Sequence, residues 1–188
     1  MTAPLHTRQG DTASAFFAKA RRAWVDAMPP DKDLAVLEIG CGVGATGALA
    51  LREGKCGSWI GIELSAREAS EALFALTDVI GFDPAGQALP YKRASFGLIF
   101  VGATLGTFPK PARTLKAVVP LLRPGGRVIA SVAGKGADRA AGFTAASLRR
   151  VLRRAGVTPL MVKAVGGKRG FLGLGRVPPQ RIEAVGKR

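Results

Sequence analysis

Short apolar runs alternate along the chain with longer stretches in which apolar residues recur every three or four positions. Residues 12–28 carry the helical period and end before Pro29-Pro30. "LAVLEI" (34–39) is apolar at nearly every position, as expected for a strand covered on both faces of a parallel sheet. A helix is expected at about 45–53, a second strand in "SWIGIEL" (58–64), a helix near 66–75 and a third strand in "DVIGF" (78–82). "FGLIFVGA" (96–103) reads as a fourth strand, and the helix near 110–122 stops before Pro124. Gly125-Gly126 turns the chain into "RVIASVA" (127–133), and a last helix spans about 144–155. "PLMVKAV" (159–165) and "GFLGLGRV" (170–177) lie close together across a glycine-rich link and read as a hairpin.

Repeated strand–helix units that close on a hairpin predict an α/β fold. The expected architecture is a single Rossmann-like, doubly wound and mostly parallel seven-stranded sheet with a C-terminal antiparallel hairpin strand. The chain has 188 residues, 47% of them hydrophobic, which suits one packed domain rather than a disordered chain. No apolar run approaches the roughly 20 residues that span a bilayer. The first residues lack a charged start followed by an apolar block, so no signal peptide is expected and a cytoplasmic location is the default. Two cysteines and one histidine make neither a disulfide framework nor a zinc site, so no metal is expected.

The charge changes the picture more than the composition does. Lysine and arginine number 28 against 13 acids, a net charge of +15. From Arg139 to Arg188 there are 12 basic residues and one acid, Glu183. Either these cations sit on solvated faces, or an anionic partner meets the basic C-terminal third.

Candidate chemistry begins with "VLEIGCGVGATG" (36–47), a glycine-dense turn directly after the first strand. Glycines there let a ligand approach the backbone, and the N–H groups of the following helix point back at it. The spacing Gly42-x-Gly44-x-x-Gly47, with Glu63 about 20 residues on, suits the pyrophosphate of a dinucleotide. It suits S-adenosylmethionine equally. Glu63 closes the second strand, where a carboxylate can accept both ribose hydroxyls. Asp83 closes the third, where one can accept from an adenine amino group.

Four stretches together carry a resemblance: "VLEIGCGVGATG", "GIELS", "VIGFDPAGQALPYKRASFGLIFV" and "LLRPGGRVIAS". In these the chain resembles the class I S-adenosylmethionine-dependent methyltransferases. With "FTAASLRRVLRRAGV" (143–157) it looks like the small-molecule branch found beside bacterial glycosyltransferases. The resemblance covers about residues 33–177. It implies S-adenosyl-L-methionine as cofactor and cofactor-binding positions at Glu38, Gly40, Cys41, Gly42, Gly44, Glu63, Leu64, Asp83, Pro84, Ala85 and Gly102. The turn Gly40–Gly44 would face the methionyl part, Glu63 the ribose hydroxyls, Leu64 the adenine, and Asp83 its amino group. Glu38 would organise the turn and the methionine amine. Pro84 lacks the N–H that the family uses on the adenine ring. The implied organisation is an N-terminal helical lid segment (1–32), a methyltransferase domain (33–180) and a basic tail (181–188).

The departures from the family matter as much. Gly97 stands where relatives carry Asp, and Ala103-Thr104-Leu105-Gly106-Thr107 replaces a run rich in acids and a histidine. The expected reaction centre therefore has few polar groups: Tyr91, Thr104 and Thr107 are the catalytic candidates. His6 on the lid is more simply a solvated terminal residue, and Cys41 a small packing residue. Trp24, Phe16 and Phe17 would cap the pocket or pack the first helix on the sheet. The function implied is methyl transfer to a small acceptor, a sugar or other metabolite. The alternatives are a nucleic-acid (RNA) methyltransferase, motivated by the basic third, and a catalytically impaired cofactor-binding protein. A motif for flipped bases and an appended RNA-binding module are both missing, which disfavours the first alternative. "LLRPGG" and the hairpin disfavour an NAD-dependent oxidoreductase.

Overall fold

A computed structural model of the chain describes residues 20–26, 28, 31–80, 89–133, 142–165 and 170–178. Seven strands form one sheet in the order β3-β2-β1-β4-β5-β7-β6. They are β1 (Ala35–Ile39), β2 (Ser58–Ile62), β3 (Asp78–Ile80), β4 (Phe96–Val101), β5 (Leu122–Ala133), β6 (Thr158–Val165) and β7 (Gly170–Arg176). The first five pair in parallel, while β7 runs antiparallel to both β5 and β6. This is the expected fold, hairpin included.

β4, at the centre of the sheet, is apolar throughout because helices cover both faces. All six residues of β4 are buried. One face, holding Leu37, Ile99, Val128 and Val132, packs under α4 (Pro111–Val118) and α5 (Ala145–Arg154) through Leu115, Leu148 and Leu152. The other face, holding Val36, Trp59, Phe100 and Ile129, packs under a helix α1 at residues 20–26 through Ala20, Trp24 and Val25. The helices α2 (Ala45–Arg52) and α3 (Ala66–Ala72) complete the sequence of elements. Local chemistry sets their starts. Ser65 accepts from the Glu68 amide at the N-terminus of α3. Thr144 and Ser147 exchange hydrogen bonds in a capping box at the start of α5.

β2 ends at Ile62 and α3 at Ala72, two and three residues short of expectation, and three further boundaries differ. The helix near 110–122 ends at Val118 and gives way to a 3-10 turn at Val119–Leu121. β5 starts at Leu122, before the glycines, because Leu122 already pairs with Phe96. The register then jumps so that Leu98 faces Arg127, and "RPGG" bulges out of the ladder with Gly125 at φ 75°. β4 ends at Val101, and residues Ala103–Thr107 form a 3-10 helix rather than more strand.

Trp24 is a core residue: its ring meets Phe100 edge-on with centroids 5.5 Å apart. Packing of α1 on the sheet therefore accounts for it, and the cleft described below does not touch it. His6, Phe16 and Phe17 lie outside the described residues, as do Asp83, Pro84, Ala85 and the tail 181–188.

Candidate functional site

A cleft of about 160 Å³ opens at the carboxyl ends of β1, β2 and β4. Its lining is Ile39, Gly40, Ile62, Glu63, Leu64, Thr104, Thr107 and Phe108. In doubly wound sheets this end of the strands is where ligands bind. The cleft thus gathers five of the residues singled out from sequence: Gly40, Glu63, Leu64, Thr104 and Thr107.

The glycine turn forms one wall. Gly40, Gly42 and Gly44 all have positive φ, at 72°, 53° and 77°. Gly40 also has no room for a side chain, since an added Cβ would stand 2.5 Å from Cγ2 of Thr104. The turn hangs from β2 by two bonds, the Gly40 and Cys41 amides donating to the Ile62 carbonyl. Gly44 then begins α2 with its own backbone in the left-handed region and no side-chain cap on the first N–H groups of the helix.

Glu63 grips the turn from the other side. Its Oε2 accepts from the Gly42 amide at 2.8 Å, and its Oε1 accepts from the amides of Leu64 at 2.8 Å and Ser65 at 3.0 Å. Each carboxylate oxygen offers about two acceptor sites, so Oε2 retains one for a ligand hydroxyl. Leu64 beside it is 66% exposed, an apolar side chain open to a flat apolar partner.

Thr104 and Thr107 form the wall facing the glycine turn. Oγ1 of Thr104 donates to the Ile39 carbonyl at 2.9 Å, and Oγ1 of Thr107 donates to the Thr104 carbonyl at 2.8 Å. Both hydroxyl protons are committed to backbone. What these side chains offer the cleft is acceptor lone pairs and a methyl surface, not a titrating base.

Glu38 is buried on the α1 face of the sheet. The Trp59 indole N–H donates to its Oε2 at 2.7 Å. Burial pushes its carboxyl up to about 8, with the Trp59 bond and the Arg21 charge opposing the rise and Glu63 adding to it. Its other oxygen faces Gly102, where an added Cβ would lie 4.0 Å away. Burial likewise pushes the Cys41 thiol up to about 12, so it is protonated and a packing residue against Gly61.

Tyr91 is not brought to this site. Its ring packs edge-on against Phe96, the first residue of β4, with centroids 5.1 Å apart. The cleft lies at the opposite end of the strands. Burial, with a further contribution from Asp78 at the start of β3, raises the phenol above its ordinary value. Tyr91 fills the amino-terminal end of the sheet. Gly97 belongs to that end as well: a Cβ there would stand 2.5 Å from Leu34 and 2.9 Å from the Arg123 guanidinium. The Arg123 side chain crosses Gly97 to pair with Asp31 at 3.2 Å, at the end of the sheet opposite the cleft.

Residues 37–130, half of the chain, match the family described as "Methyltransferase domain". A 71-residue segment is 42% identical to the 18S rRNA (guanine-N(7))-methyltransferase of Bos taurus, covering 37% of this chain. The chain spans about a quarter, 24%, of that curated relative's length. Among solved structures, a chain of the Haloferax volcanii complex between the Trm112 methyltransferase activator and a methyltransferase superposes with a TM-score of 0.78 at 15% identity. That match covers 91% of this chain and 94% of the other. A Burkholderia thailandensis 1,6-didemethyltoxoflavin-N1-methyltransferase with bound 1,6-didemethyltoxoflavin and S-adenosylhomocysteine superposes with a TM-score of 0.67 at 21% identity, covering 95% and 93%. The family match, the strand order with its antiparallel β7 and the glycine turn over the cleft agree: the chain belongs to the class I S-adenosylmethionine-dependent methyltransferases.

Proposed function

We propose that the protein methylates a small acceptor, a sugar or other metabolite, by aligning it with the sulfonium rather than by deprotonating it with a side chain. The observation that supports this is the cleft wall. Among its eight lining residues the one carboxylate, Glu63, is already held by three amides, and both threonine hydroxyl protons are spent on carbonyls.

In this reading Glu63 accepts from a ribose hydroxyl through the site left on Oε2, Leu64 covers the adenine, and Gly40–Gly44 face the methionyl part near Glu38 and Gly102. The bound cofactor supplies an electrophilic methyl group. The chain's own part is alignment, which is worth roughly 7–11 kcal/mol of barrier without proton transfer. Thr104 and Thr107 then accept hydrogen bonds from the nucleophile and orient it. A side-chain base would add about 10²–10⁴-fold, which a soft or already deprotonated nucleophile does not require. The resemblance to the branch beside bacterial glycosyltransferases supports a sugar-like acceptor.

RNA is the second reading, supported by the local 42% identity to an rRNA methyltransferase. One experiment addresses both: incubation with labelled methyl donor and a panel of sugars, amines, thiols and total RNA. Label is expected in a small acceptor. Label in RNA alone would replace the first reading, and S-adenosylhomocysteine failing to bind would remove both.

A further inference from the structure

We propose that the outer face of the α4–α5 layer is a docking surface for an anionic lipid bilayer. This is independent of the identity of the acceptor. Lys110, Arg113 and Lys116 on or beside α4, and Arg149, Arg150, Arg153 and Arg154 on α5, are all exposed. The four arginines recur at i, i+1, i+4 and i+5, so they cover the arc of α5 opposite the buried Leu148 and Leu152. The described residues from 89 onward contain no aspartate or glutamate at all. The ion pairs among the described residues use Arg22, Arg67 and Arg123, not these seven cations.

Lys163 does not join this face. It pairs in register with Leu172, whose side chain packs under α1, and its charge acts on Asp26 of α1. Lys168 and Arg169 lie outside the described residues. The surface is therefore a layer of two adjacent helices, not a rim around the hairpin.

Two further observations favour a bilayer over a nucleic acid. The amides that read adenine and the exposed aromatic rings that stack bases are missing from this layer. The sequence has no asparagine, its three glutamines (Gln9, Gln87 and Gln180) lie outside the described residues, and the layer exposes no large aromatic side chain. In their place stands an apolar contact. Leu160, 56% exposed, is the extra residue of a bulge in the edge strand β6, where Pro159 faces Gly175 and Met161 faces Leu174. Arg149 donates to the Val162 carbonyl at 3.5 Å. β6 is the strand on which α5 packs, so Leu160 lies on the edge strand beside the helix that carries the arginines. Cations flanking an exposed leucine suit the headgroup region of an anionic membrane, where guanidiniums meet phosphates and the apolar side chain reaches the acyl boundary. The face also adjoins the cleft: Lys110 follows Phe108, a cleft-lining residue, by two positions.

The test is flotation of the full chain with vesicles of phosphatidylcholine alone and of phosphatidylcholine with about one third phosphatidylglycerol, near 0.15 M salt. Binding is expected to the anionic vesicles only. Replacing Arg149, Arg150, Arg153 and Arg154 together by glutamine should weaken it at least a hundredfold, at about fivefold per charge. Leu160→Ser should weaken it several-fold and leave its salt dependence unchanged. S-adenosylhomocysteine affinity, measured on each variant, reports that the fold is retained. Equal binding to neutral vesicles, or binding indifferent to the four arginines, overturns the proposal. So does an RNA that competes the protein off the vesicles and loses its own binding in the arginine variant; that result would assign the face to nucleic acid.

Discussion

The two halves of the molecule differ in charge more than in fold. The described residues from 20 to 80, which hold α1 to β3, carry six basic and nine acidic side chains. Those from 89 to 178, which hold β4 to β7, carry thirteen basic and no acidic ones. Both halves contribute strands to one sheet and side chains to both cores. The first half turns two of its nine carboxylates inward, Glu63 on the glycine turn and Glu38 on Trp59. The second half supplies an uncharged cleft wall and turns its cations to solvent. Cofactor chemistry and surface electrostatics are thus separable along the chain, and each should be breakable without the other.

Gly40→Ala should have the largest effect. The residue needs φ 72° and its missing side chain makes room for Thr104. Strain and crowding together should cost about 2–4 kcal/mol of stability. The displaced Thr104 should reduce S-adenosylhomocysteine affinity at least a hundredfold in calorimetry. Near-normal affinity would show that the turn does not touch the cofactor.

Glu63→Ala comes next. Charge-assisted bonds are worth about 1.5–3 kcal/mol each, so loss of the ribose contacts should weaken cofactor binding at least tenfold. Because the carboxylate also holds three amides of the turn, chemical denaturation should show a stability loss as well. A binding loss with no stability loss would mean that the turn holds its shape unaided.

Gly97→Asp restores the family's residue and tests whether the departure matters for the cleft. The new side chain would meet Leu34 and Arg123, so stability should fall by about 1–3 kcal/mol while cofactor affinity stays within twofold. A changed affinity would tie the amino-terminal end of β4 to the site.

Glu38→Gln is the subtlest. The folded carboxyl holds its proton up to about 8, against an ordinary value of 4.5. The unfolded chain releases that proton first, so the contribution of Glu38 to stability should be full below about pH 4.5 and be lost as pH rises towards 8. The glutamine variant should lack that share of the decline in melting scans across pH. In the wild type, affinity for the cationic amine of S-adenosylhomocysteine should rise as Glu38 ionises through about pH 8. A flat profile in both proteins would remove Glu38 from the methionyl end.

Much of this was legible in the sequence. Apolar runs at successive positions marked β1 and β4, because a strand covered on both faces has no polar side to show. "VLEIGCGVGATG" marked the turn, because positive φ at three positions is tolerated by little else than glycine. Glu63, Leu64, Thr104 and Thr107 were singled out because each sits a fixed short distance past the end of a strand, and all four line one cleft. What they do to one another was not legible: nothing local says that Glu63 would accept from the Gly42 amide, or that Thr104 would fill the space left by Gly40. Tyr91 was misplaced for the same reason. Sequence nearness to β4 does not say which end of the strand a side chain reaches.

The sequence by itself determined the order of elements, the parallel sheet, the glycine turn and the excess of cations, since all of these rest on periodicity, glycine and charge within short windows. Only the tertiary structure decided which face and which end each residue serves. It put Gly97 under Arg123, Trp24 on Phe100, and Lys163 on the face opposite the α5 arginines. The physical reason is that pairing register and helix packing join residues tens of positions apart, and a strand reverses the face of a side chain at every step.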